Sequence, residues 1–157
     1  RSFSSPVSAL TSISPIDGRY AKQVNDLRPY FSEFALMRYR VYVELEWYNA
    51  VLREDRFQGS KDNKLRLAQH AFLDSIFTNF NETDGERVKT IERTTNHDVK
   101  AIEYFLKEKF SAHSPEMCNL KEYLHFSCTS EDINNLSYSL MLHYSMQNVM
   151  LPKLKEL

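Results

Sequence analysis

Apolar side chains recur at steps of three and four along much of this chain, and that spacing limits what it can fold into. From Ser32 to Arg53 the apolar stripe consists of Phe34, Met37, Val41, Leu45, Tyr48 and Leu52, which is the pattern of one face of an α-helix. Trp47 and Val43 broaden the stripe, so this helix is expected to pack on two sides. Ser32 is a good N-cap, and Glu33 suits the positive end of the helix dipole.

The same spacing predicts five more helices. The second is expected from about residue 62 to Phe80, with a stop at Asn81, after a loop around Gly59. Thr83 opens a capping-box pattern and is expected to start the third helix.

A break at Thr94-Thr95-Asn96 is expected to end the third helix, and Thr95 or Asn96 is the expected cap of the fourth. The last helix is expected to open at Thr129, where two hydroxyls are followed by two acids. Pro152 is expected to kink or break it.

A loop is expected around Pro115, followed by a short helix over residues 119 to 125. Only three glycines and five prolines occur in 157 residues, so helix breakers are few. No segment shows a convincing strand pattern. The sequence therefore predicts an all-α fold.

Charge and cysteine content narrow the classes of function. The chain has 20 basic and 21 acidic side chains and a net charge of −1, whereas a nucleic-acid-binding protein usually has a clear basic surplus. Cys118 and Cys128 lack metal-binding spacing, so we expect reduced, partly buried thiols in a cytoplasmic protein and no metal site. No apolar run approaches the roughly 20 residues of a membrane span.

The first 16 residues contain six serines and no acidic residue. This composition suits the remnant of an organelle transit peptide as well as an unstructured arm. We expect residues 1–14 to form a flexible arm, and both origins stay open.

Three polar clusters lie at predicted element boundaries. They are Asp17-Gly18-Arg19-Tyr20, Thr94-Thr95-Asn96-His97-Asp98 and Ser127-Cys128-Thr129-Ser130-Glu131-Asp132-Ile133-Asn134-Asn135. In the first cluster, glycine permits close backbone approach and arginine suits phosphate or carboxylate. In the other two, helix N-termini favour anions, and His97 can carry a proton near neutral pH. Each cluster also has a simpler interpretation, as a turn, a capping cluster or a cap followed by a tolerated polar turn.

Outside these three clusters, the sequence has few candidates for functional residues. His125 lies on a short apolar segment and is interpreted as a hydrogen-bonded core residue or a residue that supports a site from behind. The sequence contains no H-E-x-x-H, G-x-G-x-x-G, G-x-x-x-x-G-K-[ST] or G-x-S-x-G motif.

The three clusters, in this order, resemble the bacterial-type adenylosuccinate lyase family of the fumarase and aspartase superfamily. The resemblance is carried by Ser14–Tyr20, Lys89–Lys107 and His125–Leu136. It implies an all-α homotetramer with a long central helix bundle, active sites shared among subunits and no metal or organic cofactor. It also implies a β-elimination that releases fumarate from adenylosuccinate and from the succinylated aminoimidazole carboxamide ribotide.

By position, the resemblance also implies roles for individual residues. Arg19 and Tyr20 would bind the nucleotide, and the substrate or its succinyl carboxylate would be held by Asn96, His97, Asp98, Thr129 and Ser130. His97 is expected to orient and assist. The main acid and base of the family lie in T-H-G-Q and S-S-x-M-P motifs, which this sequence lacks. We therefore expect no turnover from the 157 residues alone.

The resemblance also divides the chain. Residues 15–128 would form the N-terminal helical lyase domain, and residues 129–157 would start the central helical bundle and be cut short at the end. Two other interpretations stay open: an argininosuccinate-type lyase of the same superfamily, and a non-catalytic helical interaction domain. The T-T-N-H-D stretch favours the purine enzyme, and the preferred substrate would separate the two lyases.

Overall fold

The computed structural model describes residues 8–54 and 63–157, with side chains of the third helix from residue 69 onward. The α-helices are α1 (Arg28–Phe31), α2 (Glu33–Arg53), α3 (Asn63–Thr78), α4 (Glu82–Thr95), α5 (Asp98–His113), α6 (Pro115–Leu120), α7 (Ser130–Ser145) and α8 (Leu151–Lys155). Within these ranges there is no strand, and the all-α prediction is confirmed. The loop predicted around Gly59 and the first seven residues of the predicted arm lie outside the described residues.

The long helix α2 begins where it was predicted. The Ser32 hydroxyl accepts a hydrogen bond from the Ala35 N–H at 3.1 Å, which satisfies one of the free donors of the first turn. The helix α2 packs on α3, α4, α5 and α7, and its buried apolar side chains belong to two separate clusters. The broad apolar stripe reflects this burial in two clusters.

The main core lies where α2 to α6 meet. Its buried members include Val41, Leu45, Tyr48, Leu73, Phe80, Val88, Ile102, Phe105, Leu106, Phe110 and Met117. The rings of Tyr48 and Phe110 meet edge to face, with centroids 5.0 Å apart, an arrangement that aromatic pairs prefer. A smaller apolar cluster of Val43, Val99 and Ile133 joins α2, α5 and α7.

The cap of α4 differs from the prediction. Asn81 Oδ1 accepts hydrogen bonds from the N–H groups of Thr83 at 2.9 Å and Asp84 at 3.3 Å, and Asp84 accepts one from the Asn81 N–H at 3.3 Å. The predicted cap at Thr83 is wrong, and Asn81 starts α4 instead of only stopping α3. The reason is that the Asn81 backbone is extended, with φ −132°, which is the conformation an N-cap requires.

We expect Asn81→Ala to lower the free energy of unfolding by about 1 kcal/mol, because it removes the acceptor for two otherwise free N–H groups. Thr83→Ala is the matched control, and we expect it to change stability by less than about 0.5 kcal/mol. Urea denaturation followed by circular dichroism measures both. Equal losses in the two variants would contradict the assignment of Asn81 as the cap.

The segment around Pro115 is helical, so the loop predicted there is wrong. The Ser114 hydroxyl accepts from the Met117 N–H at 3.2 Å, and Pro115 occupies the first helical position, where its missing N–H costs nothing. A 3₁₀ turn over Lys121–Tyr123 follows α6. The predicted short helix over 119–125 is therefore displaced toward the N-terminus, and His125 lies after it.

The last helix opens after Thr129 as predicted, but it does not run straight through to its end. A π-helical turn over Met146–Met150 separates α7 from α8, and Pro152 is the second residue of α8. A proline inside a helix lacks the N–H for the regular ladder, and the wider turn precedes it. None of the described helices is both long enough and apolar enough to cross a membrane.

Candidate functional site

The second and third polar clusters meet in space at one contact. The Nε2 atom of His97 lies 3.3 Å from the Ser130 hydroxyl oxygen. His97 is the last residue before α5, and Ser130 is the first residue of α7. Two helix N-termini that are 33 residues apart in sequence are thereby brought together.

His97 is also the N-cap of α5. Its Nδ1 accepts a hydrogen bond from the Lys100 N–H at 3.2 Å, so the predicted caps Thr95 and Asn96 are wrong. An accepting Nδ1 places the proton of the neutral ring on Nε2. The Nε2–H therefore donates to Ser130, and the capping bond fixes the orientation of the ring.

Asn96 makes the tight connection between α4 and α5 possible. Its backbone is left-handed, with φ 50°, and its N–H donates to the Glu92 carbonyl at 2.7 Å. Asparagine tolerates this conformation better than most residues. The Thr95 hydroxyl donates to the His97 carbonyl at 3.1 Å. The Asn96 side chain is exposed beside His97.

Asp98 turns its side chain toward α2. Its Oδ2 lies 2.6 Å from Nη2 of Arg40, and its Oδ1 accepts from the Val99 N–H at 2.9 Å. Burial raises the pKa of the Asp98 carboxyl, but the Val99 N–H and the Arg40 guanidinium together outweigh burial and hold the pKa below its usual value. Asp98 is therefore an anion throughout the neutral range.

Arg40 connects the two helix starts. Besides Asp98, it donates from Nε to Asn134 Oδ1 in α7 at 2.9 Å, and only 5% of its surface is exposed. Arg40 was not predicted from the sequence. The available signal was the breadth of the α2 stripe, because a helix packed on two sides must bury some of its charged residues. A buried arginine requires acceptors, and α5 and α7 provide them.

Beneath these polar contacts lies the small apolar cluster of Val43, Val99 and Ile133, all of which are buried. Val99 follows Asp98, and Ile133 precedes Asn134. Each polar contact is thus adjacent in sequence to an apolar anchor. This packing fixes the spacing of the α5 and α7 N-termini.

Thr129 caps α7 and has its hydroxyl engaged. The hydroxyl donates to Asp132 Oδ2 at 3.0 Å, and the Thr129 N–H donates to the same oxygen at 2.7 Å. These bonds hold the pKa of Asp132 below its usual value, the backbone bond more than the side-chain bond. Of the two hydroxyls at this helix start, only that of Ser130 contacts His97.

The first cluster stays separate from the other two. The Arg19 guanidinium lies 5.2 Å from the centroid of the Tyr20 ring, and both side chains are exposed. Neither side chain has a described hydrogen bond or ion pair to residues 94–98 or 127–135. A Cβ on Gly18 would lie 2.8 Å from the Ala9 carbonyl oxygen, so the close approach at Gly18 is made by the chain itself.

A groove of about 790 Å³ runs along α4 and α5. Thr94 and Thr95 contribute to its lining, but His97, Thr129 and Ser130 do not. Across the described ranges, no three His, Cys, Asp or Glu side chains form a group that could hold a metal ion. Cys118 and Cys128 are each partly buried and not joined in a disulfide, and burial raises the pKa of the Cys128 thiol to about 11.

The arrangement suits an anionic ligand. The N-termini of α5 and α7 meet at the contact between His97 and Ser130, and the positive ends of the two helix dipoles favour negative charge there. The Ser130 hydroxyl can donate or accept there, and the His97 Nε2–H can donate. This region can bind a carboxylate or phosphate.

The family model described as "Lyase" matches residues 18–157. Because the match covers most of the chain, this protein belongs to that lyase family. The chain is similar to adenylosuccinate lyases of three bacteria: 49% identical over 151 residues in Haemophilus influenzae, 48% over 149 in Vibrio cholerae and 48% over 153 in Escherichia coli K12. These matches cover 95–96% of this chain and 32% of each relative. The chain therefore spans about a third of the length of these relatives.

Proposed function

We propose that the protein containing this chain is an adenylosuccinate lyase. It releases fumarate by β-elimination from adenylosuccinate, giving AMP, and from the succinylated aminoimidazole carboxamide ribotide of purine biosynthesis. The observation that carries the proposal is the 3.3 Å contact between His97 and Ser130. This contact joins two of the three segments that carry the family resemblance, and the relatives named above share that activity in their names.

The chemistry of elimination supports roles for these residues. Removing the proton beside a carboxylate builds negative charge on that carboxylate, and fixed donors then stabilise the transition state more than the ground state. Ser130 and the α7 N-terminus are such donors, together with Thr129 after its hydroxyl turns away from Asp132. His97 orients the substrate, because its Nδ1 is engaged as a cap.

The remaining substrate contacts are proposed on the family resemblance. Asn96 is exposed beside His97 and has an amide for the substrate, and Asp98 contributes its outer carboxylate edge. Arg19 and Tyr20 bind the nucleotide, the arginine through phosphate. No described hydrogen bond or ion pair links this pair to His97, so we expect the nucleotide and the succinyl group to be bound by separate segments that form one site only in the assembled protein.

The test is fumarate release from adenylosuccinate, followed by ultraviolet absorbance, with the complete protein and with the 157-residue chain alone. We expect turnover by the complete protein and none by the chain alone, which lacks the T-H-G-Q and S-S-x-M-P motifs. Cleavage of argininosuccinate in place of adenylosuccinate would favour the other superfamily lyase. Fumarate release by the 157 residues alone would show that the acid and base have been misassigned.

Ser130→Ala is expected to lower kcat/KM of the complete protein roughly 10- to 100-fold, the typical effect of losing a hydrogen bond to a charged group. Ser139→Ala is the matched control on the same helix, because the Ser139 hydroxyl bonds only its own helix, at the Asn135 carbonyl. We expect the control to retain activity. An unchanged kcat/KM in the Ser130 variant would contradict the proposed contact between Ser130 and the substrate carboxylate.

We further propose a cytoplasmic homotetramer that needs no metal or organic cofactor and binds neither nucleic acid nor membrane. Residues 15–128 form its N-terminal helical domain and residues 129–157 the start of its central bundle. The support is the apolar surface of α7 and α8, where Leu136, Leu142, Leu151 and Leu154 are each more than 40% exposed. Light scattering of the complete protein tests the assembly, and a stable monomer would contradict it.

A further inference from the structure

One face of α2 holds the segments that form the candidate site. Arg40, Glu44 and Trp47 follow at steps of four and three, so they share that face. Arg40 bonds Asp98 and Asn134. One turn further, Glu44 Oε1 lies 2.6 Å from His125 Nδ1.

Trp47 makes the third contact of this face, with its Nε1–H donating to the Phe126 carbonyl at 2.8 Å. Glu44 and Trp47 therefore bind two consecutive residues, His125 and Phe126. These residues belong to the turn over residues 124–128, which leads directly into the α7 cap at Thr129. The path of this turn decides where Thr129 and Ser130 lie.

The turn adopts a backbone that its own residues do not prefer. His125 has φ 59° and Ser127 has φ 56°, in the left-handed region that favours glycine. Residues persist there only when their surroundings hold them, and such positions cluster at functional sites. The contacts from α2 provide that hold.

Glu44 is an unusual choice for a purely structural role. Its surface is fully buried, and its second oxygen, Oε2, has no hydrogen-bond partner among the described residues. A buried ion pair is often no more stabilising than apolar side chains of similar size. The stability of the fold therefore does not by itself explain a buried carboxylate at this position of α2.

We propose that Glu44 is a positioning residue of the site, which orients the His125 ring and thereby holds the 124–128 turn where it presents Ser130 to His97. The part of its test that measures catalytic activity rests on the proposed lyase function. The proposal itself concerns the geometry of this chain, which an activity-independent readout also tests.

The electrostatics of His125 agree with this role. The hydrogen bond to Glu44 is the largest cause that raises the pKa of His125; burial lowers it, the charges of Glu44 and Glu103 raise it, and Lys100 lowers it. Asp132 also lies close enough to interact with His125.

The sign of the resulting pH dependence follows from the raised pKa. Because the folded pKa lies above the usual 6.5, the stabilisation is complete below about pH 6.5 and is lost as the pH rises through the folded value. The contact between His125 and Glu44 therefore holds the turn most firmly at mildly acidic pH, below about pH 6.5.

The experiment compares Glu44→Gln with Glu46→Gln in the complete protein. Glu46 is an exposed carboxylate on the same helix, and it makes no described ion pair. In Glu44→Gln, we expect the His125 titration, followed by NMR of labelled histidine, to move to lower pH. We also expect kcat/KM to fall roughly 10- to 100-fold in a protein that still unfolds in one cooperative transition, because small displacements of a site are costly. Glu46→Gln is expected to change neither quantity, and Glu44→Asp to restore part of the loss.

Two results would overturn the proposal: a His125 titration unchanged in Glu44→Gln, or kcat/KM within twofold of the parent protein. If Glu44→Gln does not fold, Trp47→Phe loosens the same turn, because it removes the N–H donor to the Phe126 carbonyl together with part of the ring. An unchanged kcat/KM in that variant also counts against the proposal. If the parent protein itself releases no fumarate, the proposed function fails. The NMR titration still decides whether Glu44 controls His125.

Discussion

Replacing Phe110 with alanine is expected to lower the free energy of unfolding by about 3–5 kcal/mol, the range for deleting a fully buried aromatic ring. No surface of Phe110 is exposed, and its ring contacts those of Tyr48 and Phe72, with centroids 5.0 and 5.8 Å away. The cavity would open where α5 meets α2 and α3. Urea denaturation followed by circular dichroism measures the loss.

Tyr104→Ala is the matched control, since this ring lies on the same helix and is 40% exposed. We expect it to cost less than about 1 kcal/mol. A similarly small loss of stability in Phe110→Ala would mean that the core repacks to fill the cavity, or that the Phe110 ring does not lie at the centre of the core.

The second large effect is expected for Arg40→Met. Removing one partner of a buried ion pair typically costs about 3–5 kcal/mol, and half of the Asp98 side chain is exposed to water, so we expect about 2–3 kcal/mol. Arg53→Met is the control, because Arg53 is exposed in the last turn of the same helix. We expect the control to change stability by less than about 0.5 kcal/mol.

The Arg40 effect should depend on pH in a defined direction. The pKa of Asp98 is lower in the fold than its usual 3.8, so the ion pair stabilises the fold at higher pH and the stabilisation is lost as the pH falls through the folded value. The difference between Arg40→Met and the parent protein should therefore be smaller at pH 3 than at pH 7. If the difference in stability between the two proteins grows as the pH falls, the loss in Arg40→Met does not come from the ion pair with Asp98.

Much of the helical architecture was predictable because it depends on local signals. Ser32 and Thr129 are side chains with strong capping preference, and both precede their helices as predicted. The apolar spacing of α2 and α5 also determined which faces would be buried. The recognition of the lyase family depends on the three polar clusters and their order along the chain, and it is confirmed.

The errors lie where two local signals compete. Asn81 and Thr83 can both cap a helix, and the partner at the third helical position, Asp84, decided for Asn81. The loop predicted around Pro115 depends on the tendency of proline to break helices, although proline also suits the first helical position. His97 is a cap that residue preference alone does not favour.

The tertiary contacts of the site were beyond local signals. Arg40 and Glu44 appear in sequence as ordinary charges within a helix, and only the fold shows that α5, α7 and the 124–128 turn cover them. The interpretation of His125 as a hydrogen-bonded residue is confirmed by its contact with Glu44. Its partner could not be named from the sequence, since 81 residues separate the two.

The π-helical turn at Met146–Met150 changes what the end of the chain presents to its surroundings. One extra residue per turn rotates everything beyond it by about 100° relative to an uninterrupted helix, because each helical residue advances by that angle. Leu151 and Leu154 therefore do not continue the line of Leu136 and Leu140, although their sequence spacing suggests one seam. A straight partner helix packed along α7 would not contact Leu151 and Leu154. The element that covers α7 and α8 must therefore curve around the helix axis, or two separate elements must cover them.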